Sequence, residues 1–211
     1  LYIEMLTSKA NAGFTLIEML VVVSIFLIMT GVILANFPAF RDKAALDLLA
    51  QEIATTIRQA QVYGIGTREA GSEFTSYGIY FDPTNSSTYG LDDKTFYLYA
   101  SRDSVNGFFF SPPASLKNCN DPMAVSQKDC ITEKFVITGA AKIKELCNTT
   151  DCTPPLSTLD IFFQRFYPEA TFVGPGAGSS YVKIVIQSTR DVARKKEIQV
   201  WSTGQIVVAN G

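Results

Sequence analysis

The chain has 211 residues, 47% of them hydrophobic, and a formal net charge of -2, which suits one globular domain plus one extended element. A near-neutral, slightly acidic balance argues against nucleic-acid binding, which ordinarily shows as a strong basic excess. There is no histidine. That removes the commonest general base and the commonest metal ligand and weighs against an enzyme.

Residues 1–13, LYIEMLTSKANAG, form a short leader with one cation, Lys9, near its end. The run from Phe14 to Ala35 follows, in which only Thr15, Glu18, Ser24 and Thr30 carry polar side chains. At helical rise it spans roughly 33 Å, enough to cross a bilayer core. A secretory signal peptide has a shorter apolar core and places its small cleavage residue after it; here Gly13 stands before the core. A plain signal anchor fits the length but leaves Glu18 unexplained. A carboxylate inside an apolar run is costly and is by default a functional candidate.

The string Gly13-Phe14-Thr15-Leu16-Ile17-Glu18, behind a basic leader and at the head of an apolar helix, resembles the class III signal of type IV prepilins and type II secretion pseudopilins. The resemblance implies a precursor cut between Gly13 and Phe14 by a prepilin peptidase on the cytoplasmic side, with Phe14 then N-methylated. It implies a single-pass inner-membrane protein, N-terminus inside and domain outside. Its partners would be other pilin or pseudopilin subunits and an inner-membrane assembly platform. Many members have proline at the twenty-second mature residue; Ala35 holds that place here, and Pro38 follows three positions on.

Cleavage would leave a cationic amine on Phe14, with Glu18 one helical turn away, about 6 Å by rise. Two roles for Glu18 stay open. It can neutralise its own amine and favour the positive helix end, or it can pair with the Phe14 amine of a neighbouring subunit in a filament core. Away from water, a charge strongly prefers a matched partner.

From Ala39 to about Gly64 the pattern becomes amphipathic. Ala45, Leu49, Ile53 and Ile57 form a stripe, flanked by Leu46, Leu48, Ala50 and Ala60, and charges fill the rest. Gly31 and Pro38 lie near the change and are candidates for a bend. The expected organisation is a leader (1–13), a transmembrane and filament-core half-helix (14–38), an amphipathic half-helix (39–66) and a β-rich domain (67–211).

After Gly64, β-branched and aromatic runs separated by Gly, Pro, Asn and Asp predict strands at Tyr77–Phe81, Thr95–Ala100, Phe108–Phe110, Lys134–Thr138, Thr158–Gln164, Thr171–Val173, Tyr181–Gln187, Glu197–Trp201 and Gln205–Val208. The last two flank the turn Ser202-Thr203-Gly204. One long helix followed by antiparallel strands is an α+β fold, the pilin fold in the family resembled. Ser111–Glu133 and Gly139–Pro155 read as loops. They contain Cys119 and Cys130, and Cys147 and Cys152. No CxxC pair suggests zinc, and an exported domain favours two disulfides between neighbours, although sequence leaves three connectivities open.

Leu48–Arg68 and the ending YVKIVIQSTRDVARKKEIQVWSTGQIVV, with Ile198, Val200, Gly204, Ile206 and Val208 in its hairpin, resemble the minor pseudopilin H and FimT-like (GspH/FimT) subgroup. The glycine-rich Gly174–Gly178 lacks a following lysine and reads as a turn. Asp92 and Asp93 read as solvated rather than as calcium ligands. Arg190, Arg194, Lys195 and Lys196 form the only basic cluster and read as a solvated strand connection. No nucleophile with an evident base and no cofactor motif occurs. The expected function is that of a structural subunit, a minor pilin or pseudopilin of a type IV pilus or type II secretion filament. The alternative is a tip subunit that binds DNA or an exported substrate.

Overall fold

The computed structural model describes residues 13–66, 74–84, 92–102, 117–121, 129–173 and 178–211. The expected strand at Phe108–Phe110, most of the leader and Gly174–Ala177 lie outside them. One helix, α1 (Leu16–Ile65), runs without interruption past Gly31 and Pro38. The chain falls into two units, Leu1–Arg41 and Asp42–Gly211.

In the first unit α1 is apolar all round. No side chain of Leu16–Ala35 is buried, and Leu16, Phe26 and Ile28 are more than two-thirds exposed. By length and composition this stretch can cross a membrane. A helix apolar on every side has no water-facing surface, so it requires lipid or other apolar helices around it.

The second unit starts from the amphipathic part of α1. Leu46, Leu49, Ala50, Ile53, Ala54, Ile57 and Ala60 are buried, at the three- and four-residue spacing that puts them on one face. Leu48, expected to flank the stripe, is 71% exposed. It lies about 140° round the helix from Ile53, at 3.6 residues per turn, and so on the far side.

Nine strands are formed among the described residues: β1 (Ser76–Phe81), β2 (Thr95–Ser101), β3 (Asp129–Val136), β4 (Ala141–Cys147), β5 (Leu159–Gln164), β6 (Ala170–Val173), β7 (Tyr181–Ser188), β8 (Lys195–Trp201) and β9 (Ile206–Asn210). They make a five-stranded sheet in the order β3-β2-β1-β5-β6 and a four-stranded sheet in the order β4-β7-β8-β9. Every strand pair is antiparallel. Alternate residues of both sheets, among them Ile79, Leu98, Ile161 and Phe163 from one and Ile143, Ile184, Ile198 and Val200 from the other, join the α1 stripe in one apolar core. The fold is therefore α+β, a long N-terminal helix with antiparallel sheets.

Two expectations are corrected. Gly139–Pro155 is not all loop, because β4 occupies Ala141–Cys147. Its register shifts between Ile143 and Glu145, and such a bulge breaks the period-2 alternation by which a strand is recognised. It is also an edge strand, and its lysines, Lys142 and Lys144, are the residues that blunt edges against further pairing. Likewise β3 begins at Asp129, inside the expected loop Ser111–Glu133, and ends at Val136 rather than Thr138. Its polar first half, with Asp129 and Thr132, conceals an edge strand that is bonded to β2.

The terminal hairpin forms as expected. Gly204 has φ +84°, and its amide donates to the Trp201 carbonyl at 2.8 Å. The Gln61 side-chain amide donates to the Pro168 carbonyl at 2.8 Å and to the Gly204 carbonyl at 3.3 Å. A Cβ at position 204 would run into the Pro168 carbonyl and that Gln61 amide, so this turn requires glycine both for its dihedral and for its closeness to α1.

Candidate functional site

The start of α1 is built by Thr15. Its carbonyl accepts the Met19 amide at 3.2 Å, and its Oγ1 accepts the Glu18 amide at 3.3 Å. Thr15 is thus the N-cap and Glu18 the third helical residue. Thr-x-x-Glu is the capping-box pattern, a local signal by which the sequence marks this helix start. Gly13 and Phe14 lie ahead of the cap, outside the helix, and Phe14 is 77% exposed. The bond between them therefore lies ahead of the helix, where no helical hydrogen bond has to be broken to reach it.

The polar side chains of the apolar run differ in one respect. The Ser24 hydroxyl donates to the Leu20 carbonyl at 2.8 Å, and Thr30 donates to Phe26 at 2.8 Å. Both hydroxyls are therefore satisfied inside the helix and can enter lipid at little cost. Thr15 is used as the cap. Glu18 stands in the first turn, where the helix dipole favours a negative charge. Among the described residues no cation lies within ion-pair distance of its carboxylate, so Glu18 is the one polar group of the run whose side chain is unmatched.

The four cysteines form two bridges, Cys119–Cys130 and Cys147–Cys152, joining sequence neighbours. The first ties the Cys119 segment to β3, where the Cys119 amide donates to the Ile131 carbonyl at 2.9 Å and the Ile131 amide to Lys117 at 3.0 Å. The second closes a short loop at the end of β4. That loop is also held by Lys183 of β7, whose Nζ reaches the Thr150 carbonyl at 3.1 Å and Glu197 at 3.2 Å. Glu145 approaches Cys147 and Cys152 closely enough to suggest a metal cluster. Both sulfurs are bonded to each other, however, and a disulfide offers no thiolate.

Asp92 and Asp93 are engaged within the protein. Asp92 accepts the Lys94 amide at 3.0 Å, and Asp93 pairs with Lys142 at 2.8 Å. The Lys144 ammonium is held above its usual range chiefly by its hydrogen bond to Glu145. Tyr99 is pushed well above its ordinary value, first by burial, then by the charge of Asp160 and the hydrogen bond to it, then by Asp129. Tyr99, Asp160, Lys144 and Glu145 lie on strands, and Asp92 and Asp93 lie just ahead of β2.

The prokaryotic N-terminal methylation motif matches residues 8–34. No curated protein matches the chain. Among solved structures, the crystal structure of the type IV minor pilin FimU of Pseudomonas aeruginosa (strain PAO1) is similar at 13% identity and a TM-score of 0.43, covering 81% of this chain and 92% of that one. With the methylation motif at the head of an exposed apolar helix, the N-terminal segment of the chain is similar to that of type IV pilin-like proteins.

Proposed function

We propose that the chain is a filament subunit, a minor pilin or pseudopilin, clipped between Gly13 and Phe14, N-methylated on Phe14 and assembled through the apolar part of α1. Before assembly the helix anchors it in the inner membrane, with the N-terminus inside and the domain outside. The peptidase acts on it there and an assembly platform receives it. Its chemistry is association rather than turnover. The methylation motif over residues 8–34 supports this reading; pilus and type II secretion filaments both fit that motif.

The observation that carries this reading is the Glu18 carboxylate, which meets no cation among the described residues, in a helix that otherwise satisfies its polar groups internally. Removal of the leader creates a cation at Phe14. When helices pack side by side away from water, the Phe14 amine of one subunit and Glu18 of the next form the matched pair that each needs. That pairing would also set the axial register between subunits.

Mass spectrometry of the chain from its native membrane tests the processing step. A methylated Phe14 at the N-terminus is expected, and a chain that still carries residues 1–13 while working normally overturns it. For the pairing, Glu18→Ala is expected to insert in the membrane and stay out of filaments. Ordinary incorporation of that variant would rule out the role assigned to Glu18.

A further inference from the structure

Arg190 and Arg194 lie in the turn between β7 and β8, and Lys195 and Lys196 open β8. The turn is pre-ordered: the Arg190 and Asp191 amides donate to Ser188 Oγ at 3.2 Å, and the Ala193 amide donates to Asp191 Oδ1 at 3.1 Å. Gln187 Nε2 donates to the Val192 carbonyl at 2.5 Å. Held this way, the turn presents Val192 outward, 68% exposed.

Around it stand five cations, Lys43, Arg190, Arg194, Lys195 and Lys196. Three are paired: Arg190 with Asp42 at 3.2 Å, Arg194 with Asp191 at 2.8 Å and Lys196 with Asp47 at 2.7 Å. Lys43 and Lys195 have no carboxylate at ion-pair distance among the described residues, so the patch keeps a positive surplus in a chain whose net charge is -2. Lys43 and Lys195 also line a groove of about 350 Å³ with Leu46 and Ala193 at its wall. A cationic groove with an apolar wall beside an exposed valine is the composition of a surface that lies on a lipid headgroup layer.

We infer that the turn between β7 and β8, together with Lys43, docks the domain on the anionic lipid surface next to its own anchor. This rests on the anchor reading proposed above. The choice of lipid comes from chain length: Lys43 stands only eight positions beyond Ala35, the end of the apolar stretch. Even fully extended, that tether reaches no more than about 29 Å. The cations are therefore held permanently near the headgroups, at an effective concentration that no free ligand matches. Headgroup phosphates enter the groove at Lys43 and Lys195, and Val192 sinks into the interface. In the membrane-held precursor pool this keeps the domain down until assembly lifts it away.

The test uses the full chain in nanodiscs, either of phosphatidylcholine alone or with phosphatidylglycerol added, and follows amide hydrogen exchange over residues 189–195. Exchange is expected to be at least about fivefold slower with phosphatidylglycerol, the difference vanishing in high salt. Lys43→Gln with Lys195→Gln, which leaves all three ion pairs intact, is expected to erase the difference without changing thermal unfolding in phosphatidylcholine. Equal exchange in the two discs overturns the docking alone, and a chain that fails to enter either disc overturns the anchor reading with it. Protection by a DNA duplex in phosphatidylcholine discs, without any effect of phosphatidylglycerol, would make the patch a nucleic-acid site and refute the lipid one.

Discussion

Tyr99 on β2 donates a 2.7 Å hydrogen bond to Asp160 on β5, although β1 runs between those two strands. The ring reaches its partner by lying over Gly78 of β1, which pairs with Tyr99 in register. Both residues are almost wholly buried, so the bond stitches three strands together on the sheet face turned away from α1. Tyr80, Tyr97, Ile131 and Phe162 complete the aromatic cluster there.

Removing the hydroxyl takes one partner from a buried carboxylate. Tyr99→Phe is therefore expected to destabilise the domain by about 1–3 kcal/mol, measured by denaturant unfolding at neutral pH. The bond also predicts a pH dependence. The Tyr99 phenol titrates well above its ordinary value in the folded state, so its stabilisation is fully present below about pH 10, the unfolded value, and is lost as pH rises through the folded one. The stability gap between the natural chain and Tyr99→Phe should hold constant up to that point and narrow above it. A gap that widens with alkali would contradict the assignment.

Gly78 tests the same arrangement from the other side. A Cβ there would lie 2.6 Å from Tyr99 ring atoms, closer than any real contact, in the middle strand of the sheet. Gly78→Ala should cost about 1–3 kcal/mol by overpacking. Combined with Tyr99→Phe the two losses should be less than additive, because each disturbs the same bond. A double-mutant cycle with independent effects would show that the ring does not depend on the gap.

How much of this was legible in the sequence follows from the range of each interaction. The α1 stripe repeats every three or four residues, so Leu49, Ile53 and Ile57 announce their face locally. The β8–β9 hairpin likewise carries its signal in Gly204. The bond from Tyr99 to Asp160 joins positions 61 residues apart and depends on the register of two strand pairs, which no local pattern records. β4 was hidden by its bulge, and β3 by polar residues at an edge that solvent tolerates. At the candidate site, Glu18 stood out because a charge in an apolar run needs no alignment to be noticed. Its link to Thr15 was equally local and lay in the Thr-x-x-Glu spacing. The basic patch was visible only in part. Arg190, Arg194, Lys195 and Lys196 are contiguous in sequence, whereas Lys43 joins them only once α1 packs beside the β7–β8 turn.

The disulfides close loops of different length, with sequence separations of 11 and 5. Loop-closure entropy assigns about 3 kcal/mol to the longer and about 2 kcal/mol to the shorter. Replacing Cys119 and Cys130 by serine should therefore lower the thermal midpoint more than replacing Cys147 and Cys152. The second loop also retains Lys183 on the Thr150 carbonyl and the Leu156 amide on Leu146 at 2.7 Å, so it should stay folded without its bridge. The reverse order of midpoints would mean that the short loop is held mainly by its sulfurs.

The polar groups of the apolar run permit a contrast that separates assembly from mere insertion. Ser24→Ala and Thr30→Val remove hydroxyls that only serve carbonyls one turn back in the same helix, and those carbonyls keep their backbone partners. Filament incorporation of both should stay within about twofold of the natural chain. Glu18→Gln keeps the size, the helix propensity and a polar tip, and removes only the charge. If Glu18 meets a neighbour's Phe14 amine, that change leaves a cation unmatched in an apolar bundle, and incorporation should fall by about tenfold or more while membrane levels hold. Supplying Glu18→Gln subunits alongside natural ones distinguishes the two roles left open by the sequence. A carboxylate that neutralises only its own amine affects only the subunit that lacks it. A carboxylate that serves its neighbour instead caps growth, so mixed filaments should shorten in proportion to the variant added. Filaments of unchanged length would assign Glu18 to its own chain.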